Sequence, residues 1–285
     1  MEERKRGYNM LNVKYGALDF ALPGQLVGNI RLAHEIGLDG LELGFLRYQE
    51  RGFMLGQKWF RDYYLEEGEK YGIAFPSMAV CEFDFCGLKH PATTEKGKRV
   101  REIIDLAIDT ASYMKMEMVM MPSFCDGYIE TEEDMNVTAE ALAYACKEAA
   151  KHGITIATEN LLTIEKNLEL FDKVGQPNFS CLYDSQNYRV WKNWSQPEML
   201  RKLAQNDILY PEIHVKDGIG QSGSSAYLGE GDTDFRGTME ALHEIGYSGW
   251  LHLENFYDRM PLCETADTYI DVAKKDLEIL KEACR

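Results

Sequence analysis

The chain has 285 residues, of which 45% are hydrophobic, and this size and composition exclude a disordered or fibrous protein. Its formal net charge of −16 argues against nucleic acid as a partner, because nucleic-acid-binding surfaces gather lysine and arginine. No apolar run approaches the roughly 20 residues that span a bilayer, and residues 1–6 lead into no signal-peptide core, so we expect no membrane partner.

The cysteines indicate a reducing environment. There are seven of them, an odd number, and none forms a Cys-x-x-Cys pair. We therefore expect reduced core residues in a cytoplasmic protein and no disulfide framework.

A recurring pattern along the chain predicts joints between helices and strands. A helical stretch ends in glycine, which adopts the left-handed conformation that ends a helix, and a short apolar run follows it. These apolar runs lie at 41–43, 73–75, 154–156, 179–182 and 250–253. Further strands are predicted at 13–19, 118–122 and 209–216, which gives eight in all.

The predicted helix starts agree with this alternation of helices and strands. Capping sequences at Thr131 and Ser195 predict helices over 131–152 and 195–205. Eight strands that alternate with helices predict an α/β protein, a single (β/α)8 TIM barrel that forms one domain over residues 1–285. The glycine-rich run 229–232 is predicted as a turn before the helix cap Asp234, and a phosphate loop is disfavoured there by its acidic residues.

Four residues suited to metal binding stand at the ends of the last four predicted strands, and they are Glu159, Asp184, His214 and Glu254. Each separation fits one βα unit, so the side chains should converge at the mouth of the barrel. Taken singly, each is more often a helix cap, a surface charge or a hydrogen-bonded structural residue. Four such residues, each at the end of a predicted strand, favour a metal site. Carboxylates with one imidazole suit Mn²⁺, Mg²⁺ or Co²⁺.

These residues resemble the xylose isomerase-like TIM barrels, which include sugar phosphate isomerases and epimerases, ketose 3-epimerases, hydroxypyruvate isomerase, inosose isomerases and dehydratases, and the distant endonuclease IV enzymes. The similar stretches are 30–44, 157–160, 183–187, 214–218, 228–234 and 245–255. The resemblance implies that Glu159, Asp184, His214 and Glu254 bind one divalent ion. From the donor set we expect Mn²⁺ first, with Mg²⁺, Co²⁺ or Zn²⁺ as alternatives. The resemblance further implies that Glu159 and Glu254 double as acid/base groups, and that the chain forms a homo-dimer or homo-tetramer.

The predicted function is that of a divalent-metal-dependent isomerase or epimerase. It would act on a small keto sugar or cyclitol by proton abstraction next to a carbonyl, through a metal-stabilised enediolate. An inosose-type dehydratase and a non-catalytic sugar-binding barrel or subunit of a heteromeric enzyme are the alternatives. DNA repair is disfavoured, because the six histidines supply one convincing ligand where a zinc cluster needs several.

Three more residues are candidates for substrate binding. Asn187 stands where ketose 3-epimerases carry a histidine, and its amide can bind a hydroxyl but carries no charge. Lys216 faces the same side of its strand as His214, and would bind a substrate oxygen or pair with a carboxylate such as Glu212. Glu42 ends strand two, and would bind substrate hydroxyls or form a structural ion pair. Gly220 replaces an arginine of the epimerases, which also argues against a standard ketose epimerase.

Overall fold

Eight parallel strands close into a barrel at the centre of the structure, a computed structural model that describes residues 9–45 and 54–285. Two further strands, β8 and β9, form an antiparallel hairpin. The strands in chain order are β1 (Asn12–Leu18), β2 (Gly40–Gly44), β3 (Ser77–Ala79), β4 (Met118–Pro122), β5 (Thr155–Glu159), β6 (Phe179–Asp184), β7 (Leu209–Val215), β8 (Asp217–Ile219), β9 (Ser222–Ala226) and β10 (Ser248–Leu253).

The barrel strands are hydrogen-bonded in the order β1-β10-β7-β6-β5-β4-β3-β2, and β2 returns to β1. Each pair is parallel, so the carboxyl ends of all eight strands open at the same end of the barrel. The predicted TIM barrel is confirmed. Its geometry places loops from different strands around one mouth, where such barrels build their sites.

Helices lie between successive barrel strands along the chain. Those in the described residues are α1 (Gly28–Ile36), α2 (Lys58–Tyr71), α3 (Glu95–Met114), α4 (Glu132–Ala150), α5 (Ile164–Val174), α6 (Asn187–Lys192), α7 (Gln196–Gln205), α8 (Phe235–Glu244) and α9 (Tyr269–Ala283). None of these described helices combines the length and the apolar character that crossing a membrane requires.

Local signals explain where the helices begin and end. Thr131 and Asp134 form a reciprocal capping box at the start of α4, and Ser195 accepts a hydrogen bond from the backbone of Glu198 at the start of α7. The predicted helices 131–152 and 195–205 are therefore confirmed within two residues. The predicted glycine ends have φ between +56° and +93°, as a left-handed cap requires, at Gly37, Gly72, Gly153, Gly175 and Gly246.

The third strand lies later than predicted. Strand β3 begins at Ser77, and within the predicted run 73–75 Ala74 forms one isolated bridge with Gly40. Pro76 has no N–H to donate, so the ladder becomes regular only after it. The prediction of a strand at 73–75 was therefore wrong, because the strand begins four residues later, at Ser77.

The hairpin of β8 and β9 was not predicted, and it is tied to the glycine-rich run by Asp217. The buried Asp217 carboxylate accepts hydrogen bonds from the backbone N–H groups of Gly218, Gly229 and Gly231, and from Thr233 Oγ1 at 2.7 Å. Asp234 then caps α8 by accepting from a backbone N–H. The predicted turn before this cap is confirmed, since its backbone donors point at a carboxylate of the same chain.

A small apolar cluster on four adjacent strands forms a floor beneath the mouth of the barrel. Met118 and Met120 alternate along β4 and so face the same side, where they pack with Ala79, Ala157 and Leu182. Met120 also lines the cavity above this floor. The methionine-rich strand thus fills the core.

Candidate active site

The four predicted metal ligands meet at the ends of neighbouring strands. Glu159 and Asp184 are the last residues of β5 and β6, His214 is next to last in β7, and Glu254 directly follows β10. The strand order places β5, β6, β7 and β10 side by side, and the register pairs Asp184 with His214. All four side chains are buried.

The imidazole of His214 lies at the centre of this cluster. Its Nδ1 is 3.3 Å from Glu159 Oε2 and 3.4 Å from Glu254 Oε2. Ligand atoms of Glu159, Asp184 and His214 all lie within 4.8 Å of one another. Carboxylate oxygens and an imidazole nitrogen at this spacing are able to hold a metal ion.

Two of the buried ligand atoms lack hydrogen-bond partners among the described residues. They are His214 Nδ1 and Asp184 Oδ2. Each still has a charged neighbour, since Glu159 Oε2 lies 3.3 Å from Nδ1 and the Lys216 ammonium lies 3.0 Å from Oδ2. An ion bound here would add the partner that each atom lacks. The residues at this mouth therefore fit a divalent cation held by Glu159, Asp184, His214 and Glu254.

A second buried layer supports His214 from below. His214 Nε2 lies 2.6 Å from Glu42 Oε2, and Glu42 is fully buried and does not reach the cavity wall. This contact agrees with the structural alternative for Glu42, and its binding of substrate hydroxyls stays a prediction. A hydrogen bond from Nε2–H to this carboxylate leaves Nδ1 as the atom that faces Glu159 and Glu254.

Glu212 belongs to this second layer too. It accepts a hydrogen bond from Ser77 Oγ, and its carboxylate lies 3.4 Å from His252 Nε2. Burial and the neighbouring Glu42 charge raise the pKa of Glu212 well above its usual range. Glu212 is therefore held in a buried network of its own and does not pair with Lys216.

Lys216 lies inside the cluster of predicted ligands. Its Nζ is 2.6 Å from Glu254 Oε2 and 3.0 Å from Asp184 Oδ2, and the side chain lines the cavity. Burial lowers the pKa of Lys216, but the charges of Asp184 and Glu254 outweigh burial and raise it above its usual range. The ammonium therefore stays charged and offsets part of the negative charge of the carboxylates.

The pKa values of the two carboxylates that contact Lys216 are shifted in opposite directions. Burial raises the pKa of Asp184 to about 7, because Lys216 offsets only part of the desolvation. Burial also acts on Glu254, but Lys216 and His214 outweigh it and hold the pKa of Glu254 at about 2. Glu254 is thus ionised at neutral pH and lies on the cavity wall, whereas Asp184 lies beneath it.

Asn187 is the first residue of α6, and it links two of the predicted ligands. Its Nδ2 donates to Glu159 Oε1 at 2.7 Å, and its backbone N–H donates to Asp184 Oδ1 at 2.6 Å. The side chain also lines the cavity. Asn187 therefore fixes the orientation of Glu159 from the cavity wall.

A cavity of about 550 Å³ opens above the cluster, and six aromatic side chains line it. Asp84, which was not singled out from the sequence, also lines it. Asp84 ends a short 3-10 helix after β3, Cys81–Asp84, where no periodic or strand-end pattern marks it. The aromatic side chains of the wall are Phe20, Phe85, Phe124, Tyr128, Trp191 and Phe256.

Curated relatives of this chain include two named as epimerases. It is 27% identical over 235 residues to the 2-epi-5-epi-valiolone 7-phosphate 2-epimerase of Actinoplanes sp., which covers 81% of this chain and 83% of that protein. It is 28% identical over 262 residues to a putative L-ribulose-5-phosphate 3-epimerase of Escherichia coli, which covers 85% and 86%.

A solved structure and a family model agree with the barrel. The D-allulose 3-epimerase of Methylomonas sp., in complex with D-allulose, superposes with a TM-score of 0.73 over 97% of this chain and 98% of that chain. Its 18% identity supports a common fold alone. The family model described as xylose isomerase-like TIM barrel matches residues 30–283, which is most of the chain. This protein therefore belongs to the xylose isomerase-like TIM barrel family.

Proposed function

We propose that this protein is a divalent-metal-dependent isomerase or epimerase that acts on a small keto sugar or cyclitol. The observation that carries the proposal is the placement of Glu159 Oε2 and Glu254 Oε2 at 3.3 Å and 3.4 Å from His214 Nδ1, with both residues on the cavity wall. The epimerase names of both curated relatives support the same reaction class.

A divalent ion held by Glu159, Asp184, His214 and Glu254, with Mn²⁺ as our first choice, would polarise the substrate carbonyl and acidify the neighbouring C–H. One glutamate takes that proton and the other returns a proton to the opposite face of the same carbon, which inverts it. Return of the proton to the neighbouring carbon would instead interconvert aldose and ketose. The placement of both residues on one cavity supports Glu159 and Glu254 as the acid and base of either reaction.

The other side chains of the site have supporting roles in this proposal. Asn187 holds Glu159 through Oε1 and leaves Oε2 directed at the cluster. Lys216 keeps Glu254 ionised through its contact with Oε2. Asp184 lies below the cavity wall, which suits a metal ligand that takes no part in proton transfer.

The test is proton NMR of the Mn²⁺-loaded protein in D₂O with free ketoses, inososes and 3-keto-glycosides. We expect deuterium to enter the carbon next to the carbonyl, and we expect Glu254→Gln and Glu159→Gln to slow this exchange at least 100-fold. Glu66→Gln, on the outer surface of α2, is the matched control and should keep wild-type exchange.

The product distinguishes the reactions, since an epimer, an aldose and a dehydrated sugar have different spectra. Exchange that persists unchanged in both glutamine variants would refute the assignment of the acid and base. The dimer or tetramer implied by family resemblance is part of the same proposal, and sedimentation analysis measures it.

A further inference from the structure

Asp84 is the cavity-lining carboxyl that the proposed reaction leaves without a role. Its Oδ1 is buried and has no hydrogen-bond partner among the described residues. Burial, with the charges of Glu159 and Glu254, raises the pKa of Asp84 to about 6. Asp84 as a whole is half-buried and lines the cavity, so its carboxyl group is a place where a ligand hydroxyl would gain a hydrogen bond.

The charge of the wall limits what can bind there. Among the described lining residues Lys216 is the only lysine or arginine, and its ammonium already contacts Glu254 and Asp184. A phosphate group in this cavity would be repelled by the Asp84 carboxylate, and no free cation on the described wall would offset that repulsion. An uncharged hydroxyl meets no such repulsion.

The rest of the wall favours an uncharged sugar as well. Six aromatic rings line the cavity, among them Phe20, Trp191 and Phe256. Aromatic faces pack against the C–H face of a sugar and offer nothing to a phosphate. Trp191 is 63% exposed, so a ring that covered it would also remove apolar surface from water.

We propose that the cavity takes an unphosphorylated sugar, and that Asp84 is the specificity residue that binds one of its hydroxyl groups and disfavours phosphate. This inference rests on the proposed function and narrows its substrate class. It separates this chain from the two curated relatives, whose names specify phosphorylated compounds.

The experiment compares matched pairs of substrates that differ by one phosphate, D-allulose with its 6-phosphate and L-ribulose with its 5-phosphate. Deuterium exchange in D₂O gives kcat/KM, and calorimetric titration of the Mn²⁺-loaded protein gives Kd for each member. We expect the free sugar to exceed its phosphate at least 100-fold in kcat/KM, and to bind more tightly.

Asp84→Asn tests the assigned residue. It should raise KM for the free sugar about tenfold with kcat changed less than threefold, and it should reduce the preference over the phosphate at least tenfold. The affinity for Mn²⁺ should stay within a factor of two, because Asp84 is not among the metal ligands. Asp258→Asn removes an exposed carboxyl four residues beyond Glu254 and should leave all these quantities unchanged.

The outcomes separate this inference from the proposed function. Faster exchange or tighter binding of the phosphates overturns the inference and leaves the proposed function intact. Binding of the free sugars without exchange supports the inference and overturns the proposed function. Failure of any free sugar to bind, or an Asp84→Asn variant with an unchanged preference, overturns the inference.

Discussion

The imidazole of His214 is held by one short contact, 2.6 Å from Nε2 to Glu42 Oε2. If Nδ1 is the atom that binds a metal ion, this buried carboxylate fixes the tautomer and strengthens the ligand. We predict that Glu42→Gln weakens Mn²⁺ binding about 10- to 100-fold, because a neutral amide accepts the Nε2–H bond less strongly.

Isothermal titration of the metal-free protein with MnCl₂ measures this effect. Glu66→Gln, an exposed glutamate on α2, should bind Mn²⁺ with wild-type affinity. Equal affinities for wild type and Glu42→Gln would mean that Glu42 neutralises His214 without controlling metal binding.

Asp19 is a buried carboxyl that follows β1, outside the ligand cluster. Its Oδ1 accepts a hydrogen bond from Gly44 N at 2.8 Å, yet burial, aided by the Glu42 charge, raises the pKa of Asp19 to about 7 from 3.8. Between these pH values the folded state holds a proton that the unfolded state has released. The contribution of Asp19 to the free energy of unfolding therefore falls as pH rises from about 4 to 7, by up to about 4 kcal/mol.

We predict that Asp19→Asn removes this loss. The amide oxygen still accepts from Gly44 N but carries no charge, so the variant should match wild type near pH 4 and exceed its stability at pH 8. Urea unfolding of both proteins at the two pH values gives the comparison. Parallel pH profiles for the two proteins would show that Asp19 does not titrate in this window.

At the scale of elements, the Asp217 carboxylate joins the hairpin of β8 and β9 to the run before α8. A Cβ at Gly231 would lie 2.0 Å from Asp217 Oδ1 and 2.5 Å from Gly218 O, so alanine cannot fit without breaking this junction. We predict that Gly231→Ala lowers the free energy of unfolding by about 3 kcal/mol, the range of overpacking in a tight site.

The control for this prediction lies in α1. A Cβ at Gly28 meets no heavy atom within 4 Å, so Gly28→Ala should be neutral or stabilise the protein by up to about 1 kcal/mol. Urea unfolding at one pH compares the variants. A Gly231→Ala protein as stable as wild type would mean that the junction relaxes at no cost.

The strand ends show what the sequence could predict. Glu159, Asp184, His214 and Glu254 each stand alone after an apolar run, so local pattern placed them, and the barrel order brought them together. Their grouping was predictable because TIM barrels direct all strand ends to one mouth. Their roles as metal ligands and acid/base groups stay predictions.

Features that depend on tertiary contacts were not predictable. Asp84 follows a three-residue strand, and its place on the cavity wall depends on how the loops fold over the barrel. The partner of Lys216 was open for the same reason, because residues 212, 214 and 216 share a face and only depth decides their neighbours. The hairpin was not predictable because its strands are short and lack an apolar pattern, as in β9, which reads Ser-Gly-Ser-Ser-Ala.

At the scale of the whole molecule, the first and last parts of the described chain meet. Strand β1 pairs with β10, and Leu11 N donates to Cys284 O. We propose that residues 1–285 form one domain, because a closed barrel cannot lose either end without losing the ladder that closes it. Thermal unfolding should then show one transition by both circular dichroism and tryptophan fluorescence.

A metal ion bound by four strands should shift that whole transition. At a free concentration 100 times its Kd, Mn²⁺ stabilises the folded state by about 2.7 kcal/mol, which raises Tm by about 5 °C or more for a chain of this length. We predict this rise on adding MnCl₂ to protein treated with EDTA.

The variant Asp184→Asn should lose most of this rise, because it removes a carboxylate ligand of the proposed metal. Asp184 lies below the cavity wall, so this variant tests metal binding apart from substrate contact. A Tm independent of Mn²⁺, or a full shift in Asp184→Asn, would contradict the metal site, whereas a second transition left behind at the lower temperature would contradict the single domain.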